Sequence, residues 1–316
     1  MSKVRVGVVG IGHLGGYHLQ KYQKLPSSEI VAVADIVEER ARKAATVYNC
    51  SAHIDYRKLI GVVDAVSITV PTDSHYRIAK DFLEAGIDVL LEKPIATTLE
   101  EADEMVAIAE GENPFTILQI GFVERFNPAV VALKTVMGEP LFIEAHRLHP
   151  FFERGTDVDV ILDLMIHDLD IILHFVKSPV RSVEAVGVPV LSDKVDIANA
   201  RLTFSSGCVA NITASRISDK VLQKIRFFGQ EGYHAIDYGK RELVSLSRKN
   251  STVGQVEITR NQVEVKVQDP LEEEIRSFLR AVKDRTPPPV SGREGRTSLE
   301  VALHIIRKMK TVGEVL

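Results

Sequence analysis

Val4-Arg5-Val6-Gly7-Val8-Val9-Gly10-Ile11-Gly12-His13-Leu14-Gly15 stands near the start of the chain and decides its fold. The first six residues are rich in β-formers, as a strand buried on both faces would be. The next six carry glycines in the order G-x-G-x-x-G, and a helical stretch follows to about Lys24. Between a strand and a helix, such glycines permit a tight turn, close approach of backbone to a pyrophosphate, and close packing of helix on strand. The helix start adds free N–H groups and a positive dipole end for the phosphates. A second apolar run, Ile30 to Ala34, ends in Asp35, roughly 20 residues past the glycines, where a dinucleotide site needs an acid. A carboxylate there accepts from the ribose hydroxyls and repels a 2′-phosphate. No arginine follows directly, since Arg40 and Arg42 fall inside the next helix. NAD is the expected cofactor, NADP being less suited, and Gly10, Gly12, His13, Leu14, Gly15 and Asp35 are expected to hold it.

Outward from this stretch the alternation continues. Helices are expected over about 37–48, 74–85 and 99–110, with strands over 65–70, 89–91 and 115–120. That rhythm implies a parallel sheet with helices on both faces. In such a sheet ligands bind at the carboxyl ends of the strands. Two loops fall there. Pro71-Thr72-Asp73-Ser74-His75 includes a helix N-cap candidate at Asp73 or Ser74; Thr72 is expected to bind the cofactor, and His75 is either a surface helix residue or a cofactor contact beside the expected nicotinamide. Val89-Leu90-Leu91-Glu92-Lys93-Pro94 ends a buried run in an acid, a base and a proline. Pro94 disfavours a helical Lys93, which leaves the lysine either placed for chemistry or part of a charged turn after a buried strand.

After Gly121-Phe122-Val123-Glu124-Arg125-Phe126-Asn127-Pro128 the pattern changes. Strand follows strand from Val183 to Val267, separated by Gly, Ser and Asn turns. This reads as an antiparallel sheet with one face open to a partner subunit, closed by helices over 271–284 and 297–309. The expected domains are 1–123 and 124–316. A strongly apolar helix over about 160–176 carries Asp163, His167, Asp170 and His174 at four-, three- and four-residue spacing, hence on one stripe. Burying that stripe unpartnered would be expensive. A solvated face, a metal site and the wall of a substrate cleft all remain open, although no second ligand cluster supports a metal.

Composition narrows the classes. The 316 residues suit two domains, and 45% hydrophobic with 26% charged residues is ordinary for a globular protein. A net charge of -4 offers no field for nucleic acid or anionic lipid. Cys50 and Cys208 match no metal or redox spacing, and neither a signal peptide nor a membrane-spanning stretch is visible. A cytoplasmic location is the expectation.

Together, the Gly10/Gly12/Gly15 loop, Asp35, the Pro71–His75 loop, Glu92-Lys93-Pro94, Arg125-Phe126-Asn127-Pro128 and Asp163-x-x-x-His167 resemble the Gfo/Idh/MocA oxidoreductases over nearly the whole chain. The resemblance implies α/β plus α+β architecture: an N-terminal Rossmann domain and a C-terminal domain with an open-faced, mostly antiparallel sheet used for forming homodimers or homotetramers. It also implies hydride transfer between NAD and a secondary alcohol of a sugar or cyclitol. By position, Lys93, Asp163 and His167 match the family's catalytic trio, Glu92 and His75 match residues near the nicotinamide ribose, and Arg125 joins the cofactor set. Histidine, with an ordinary pKa of about 6.5, suits the base. His167 is therefore assigned as base, Lys93 as donor to the reacting oxygen and proton relay, and Asp163 as orienter, the first two being interchangeable. The run Arg147 to Arg154, with Asp157 to Asp168, further resembles the UDP-N-acetylglucosamine 3-dehydrogenase branch that serves lipid A precursor synthesis. Arg147 and Arg154 would then meet a diphosphate, with His149 beside them. A free-sugar or inositol dehydrogenase and a non-catalytic dinucleotide-binding redox sensor are the alternatives.

Overall fold

The structure, a computed structural model, describes residues 3–111, 116–151, 158–230, 232–250 and 256–311. The chain divides into two compact units, residues 1–123 with 269–299, and residues 124–268 with 300–316.

Elements β1 (Val4–Val9), α1 (His13–Lys24), β2 (Ser28–Ala34), α2 (Glu38–Tyr48), β3 (Ser51–His53), β4 (Ala65–Ile68), α3 (His75–Glu84), β5 (Asp88–Glu92), α4 (Leu99–Ala109) and β6 (Leu118–Gly121) alternate along the first stretch. Their sheet is wholly parallel, in the order β3-β2-β1-β4-β5-β6. This is the Rossmann order, with the switch point beside β1. Helices cover both faces, so Val6, Val8, Val66, Leu90 and Leu91 are fully or almost fully buried. That double cover is why the strands read as apolar runs without alternation. Thr98 and Glu101 form a capping box that starts α4. The strand expected over 115–120 is Leu118–Gly121; Phe115 lies outside the described residues.

The second unit begins with α5 (Pro128–Leu133) and β7 (Phe142–Leu148). A π-helical turn, Ile161–Met165, leads into α6 (Ile166–Phe175). Then come β8 (Val180–Val188), β9 (Ile197–Phe204), β10 (Val209–Ser215), β11 (Leu222–Phe228), β12 (Gly232–Asp237), β13 (Glu242–Asn250) and β14 (Val256–Asn261). Helices α7 (Pro270–Asp284) and α8 (Gly292–Lys308) and the short β15 (Met309–Thr311) complete the order. The nine strands pair as β14-β13-β12-β11-β7-β10-β9-β8-β15. The sheet is mostly antiparallel, but β7 with β10 and β8 with β15 are parallel, so it is mixed. Strict alternation, as in the iBeBeBiB pattern of β9, buries one face and leaves the other open. Glu144, His146, Asn199, Arg201, Asn211 and Thr213 line a shallow depression on that open face. Among the described residues no helix is long and apolar enough to cross a membrane.

Two expectations change here. Residues 269–299 belong with the first unit, whereas the sequence-based division gives all of 124–316 to the second. The cause is α7, whose Ile275, Phe278, Leu279 and Val282 join Leu19, Tyr22, Leu25 and Leu90 in one core. Each such buried side chain contributes about 1.5–3 kcal/mol, enough to fix the helix there. The single helix expected over 160–176 is instead a π turn followed by an α-helix, which changes the angular register between Asp163 and the residues after it.

Candidate active site

The first unit carries its candidate residues on loops at the carboxyl ends of β1, β2, β4 and β5. The three glycines differ in what they permit. Gly10 has φ +89°, and a Cβ there would lie 2.8 Å from Val70 Cγ1. A Cβ on Gly15 would meet the Gly10 carbonyl oxygen at 2.0 Å, so only glycine lets α1 start this close to the strand. Gly12 has nothing within 4 Å of its Cβ position, which leaves open space over the loop. Helix α1 starts at His13 with no side-chain cap and no acid in its first turn, and His13 and Leu14 are exposed there. This is an anion-receptive helix start. Asp35 accepts from Ile11 N–H at 2.6 Å and from Val37 N–H at 2.8 Å, tying the glycine loop to the end of β2.

On the neighbouring strands, Thr72 sits half-buried in a 3-10 turn, Thr72–Ser74. His75 is 1% exposed, and its Nδ1 and Nε2 lie 2.8 Å from Pro94 O and 2.9 Å from Val70 O. A neutral ring can donate to only one of those carbonyls. Burial disfavours the imidazolium that would satisfy both, and it holds the pKa below the usual histidine value. Lys93 is half-buried at the end of β5, and the Lys93–Pro94 peptide is cis. Glu92 turns inward, where its Oε1 accepts from His18 Nε2 at 3.1 Å.

In the second unit Asp163 lies in the π turn and His167 in the first turn of α6, both half-buried. His149 accepts from the Gln223 amide at 2.6 Å. Its pKa is lowered by burial first and then by the Arg147 charge, with Asp163 opposing. The lower half of the expected stripe has a partner of its own. Arg125 donates to Asp170 through Nε at 2.6 Å and Nη2 at 2.9 Å, and its Nη1 donates to His174 Nδ1 at 2.5 Å. Arg147 forks onto Asp168 at 2.8 and 3.2 Å, reaches Glu124 at 3.2 Å, and stacks on the Tyr238 ring at 4.9 Å.

Set beside known proteins, residues 4–120 match the family model described as an oxidoreductase family with an NAD-binding Rossmann fold, and residues 132–234 match the GFO/IDH/MocA C-terminal domain. The chain belongs to the Gfo/Idh/MocA oxidoreductase family. It is 38% identical to a UDP-N-acetylglucosamine 3-dehydrogenase of Acidithiobacillus ferrooxidans over 96% of this chain and 97% of that protein. A structure of an enzyme of that name from the same organism superposes with TM-score 0.89 at 36% identity, covering 98% of each chain. A myo-inositol 2-dehydrogenase of Thermotoga maritima is 27% identical over 94% of this chain and 93% of that protein.

As a Gfo/Idh/MocA oxidoreductase, the chain uses its N-terminal unit as an NAD-binding domain, and the residues present fit that cofactor. The glycine loop is open over Gly12, the helix start is free of acids, and Asp35 is a carboxylate at the end of β2. Of the three residues expected from the sequence to be catalytic, Lys93 is on the first unit, Asp163 and His167 on the second. The structure bears on three of the sequence-based assignments. His75 lies beneath the rim, where it ties the Val70 loop to the Pro94 loop, because its ring is buried between their carbonyls. Arg125 and Arg147 are 4% and 3% exposed, and the Nε and Nη2 of each are taken by Asp170 and Asp168. Arg154 lies outside the described residues.

Sequence reading missed Thr69, whose Oγ1 donates to the Gly10 carbonyl at 2.6 Å and so braces the loop. It also missed His18 and Glu274. A histidine one turn after Gly15, among apolar residues of α1, is the signal that could have found the first. Nothing local announces the second.

His174 gives the stability a pH dependence. Burial, and then the Arg125 charge, lower its pKa to about 3. The unfolded chain takes up the proton near pH 6.5, about the ordinary histidine value, while the folded chain resists it. This contribution is therefore complete above about pH 6.5 and is lost as pH falls toward 3. His75, His149 and His234, each lowered mainly by burial, act in the same direction. Urea midpoints are expected to drop between pH 7.5 and 5, roughly the upper part of that window, and His174→Gln is expected to shrink the drop. An equal drop in the variant would remove His174 from the account.

Proposed function

We propose that the protein oxidises the 3-hydroxyl of UDP-N-acetylglucosamine with NAD, giving the 3-keto nucleotide sugar. The observation that carries this reading is whole-chain similarity, C-terminal domain included, to a UDP-N-acetylglucosamine 3-dehydrogenase. NAD supplies the hydride acceptor when bound. The alcohol proton needs a base and the developing alkoxide needs a donor. We assign His167 as base, Lys93 as donor and relay, and Asp163 as the group that orients His167. These three residue types give a pure dinucleotide sensor no evident use.

A second reading, a free-sugar or inositol dehydrogenase, is favoured by the state of Arg147. Arg147 is spent on buried Asp168, which removes the guanidinium argument for a diphosphate from it, and Arg154, the other arginine of that argument, lies outside the described residues. The open face of the nine-stranded sheet is proposed to pair copies of the chain, and the cytoplasm is the proposed compartment, in keeping with free Cys50 and Cys208. Light scattering tests the assembly.

The deciding experiment follows NADH formation from NAD with UDP-N-acetylglucosamine, N-acetylglucosamine, glucose and myo-inositol, each with a carbonyl trap. Turnover confined to the nucleotide sugar is expected. Turnover confined to a free polyol would overturn the substrate assignment and keep the family chemistry. Silence across the panel with intact NAD binding would favour a sensor.

A further inference from the structure

Beneath the sheet face covered by α1 and α7, the first unit buries a polar cluster among apolar side chains. His18 on α1 is 1% exposed, Ser67 on β4 and Glu274 on α7 are 0% exposed, and Glu92 stands at the end of β5. Ligating atoms of His18, Glu92 and Glu274 lie within 4.8 Å of one another. The hydrogen-bond directions follow from chemistry. Glu92 as a carboxylate can only accept, so the His18 Nε2 at 3.1 Å carries the hydrogen. In the neutral ring Nδ1 is then an acceptor, and it faces Ser67 Oγ at 3.1 Å, which donates. Ser67 Oγ in turn accepts from Tyr22 O–H at 2.7 Å. Burial keeps that phenol protonated by raising its pKa. Tyr22, Ser67, His18 and Glu92 thus form one chain of donors running from the core to the residue before Lys93.

We propose that His18 is a positioning residue for the reaction: its Nε2–H holds the Glu92 carboxylate inside the domain, and so fixes the turn that carries Lys93. This rests on the reading of Lys93 as donor and relay. A buried carboxylate that loses its donor is left uncompensated. Without the His18 donor, Glu92 has every reason to leave the cluster of Glu274 and swing toward the lysine beside it. A carboxylate released there does two things to Lys93. It moves the ammonium off its station, and it stabilises the charged form, which raises the lysine pKa.

The test compares His18→Gln with His18→Asn in the full-length protein. A Gln amide reaches the position of Nε2 and keeps the donor to Glu92. An Asn amide reaches only the position of Nδ1 and loses it. His18→Asn is expected to lower kcat about a hundredfold, the loss that displacing a reacting group by about 1 Å produces. The NAD dissociation constant should stay within about twofold, because a positioning defect falls on kcat. The limb of the pH–rate profile governed by Lys93 should move upward by about one unit. His18→Gln should recover most of kcat and return the limb. Tyr22→Phe, which removes only the terminal donor and keeps the ring, should show a smaller loss in the same direction. Lys93→Ala runs beside them. An inactive Lys93→Ala with a His18→Asn that matches wild type in kcat and pH profile would overturn the positioning role alone. A Lys93→Ala that retains full turnover would overturn the underlying reading. Equal losses in Asn and Gln variants, with an unmoved pH limb, would reduce His18 to a packing residue.

Discussion

Lys93→Ala is expected to lower kcat about a thousandfold, the middle of the range for general acid–base groups. That corresponds to about 4 kcal/mol of transition-state stabilisation. The NAD dissociation constant should change far less, because the glycine loop and Asp35 are the residues proposed to hold the other end of the dinucleotide. The position argues for so large an effect. Val89, Leu90 and Leu91 of β5 are buried between β4 and β6 in a doubly covered sheet, and Glu92 is anchored by His18. The lysine therefore leaves a rigid strand and not a loose loop, and rigid support is what an oriented donor requires. Lys93→Arg distinguishes charge from proton transfer. A guanidinium keeps the positive charge but does not release its proton at accessible pH. If the lysine relays the proton, the arginine variant should be nearly as slow as the alanine variant, and if it serves only as a charge, arginine should recover much of the rate. Pre-steady-state NADH formation, which isolates hydride transfer from product release, is the measurement. A Lys93→Ala protein with undiminished hydride transfer would remove the lysine from the mechanism.

Arg147→Ala is expected to destabilise the second unit by about 3–5 kcal/mol, the usual cost of stranding one partner of a buried ion pair. Asp168 has no exposure and its two oxygens are held by the Arg147 fork, while the same guanidinium reaches Glu124 and stacks on Tyr238. Truncation leaves that carboxylate buried, together with a cavity under the tyrosine ring. Urea unfolding reads the loss as a lower midpoint at unchanged slope. A double-mutant cycle with Asp168→Asn apportions it, since residues in direct contact should couple strongly. Had Arg147 been a phosphate ligand, the substrate KM would rise with stability untouched. The two outcomes are cleanly separated, and an unaltered urea midpoint would contradict the buried-pair account.

These two residues also show how far the sequence could be read. Lys93 was placed correctly on a strand end, because a buried parallel strand leaves a contiguous apolar run and Pro94 marks its end. Arg147 and Arg125 were read as ligands because an arginine's partner is set by tertiary packing. Asp168 and Asp170 lie on a helix 21 and 45 residues away from them in the chain. Periodicity placed Asp163, His167, Asp170 and His174 on one stripe, which assumes an unbroken α-helix. The π turn at Ile161–Met165 breaks that assumption, and no residue in the turn announces it. His75 was read as a rim residue from its place in a loop, yet its ring points down between two carbonyls.

What the sequence determined by itself was everything set by near neighbours. Glycines at Gly10, Gly12 and Gly15 between a strand and a helix, an acid at Asp35, and the beat of strand and helix prescribe a dinucleotide-binding sheet, because turn geometry, helix dipole and burial period are local properties. Tertiary structure alone decided which charges are buried in pairs. Residues 269–299 return to the first unit only because α7 finds an apolar face there, and that return carries Glu274 to His18 and Glu92 across more than half the chain. A buried charge must find a partner wherever the fold supplies one, and sequence distance has no bearing on that requirement.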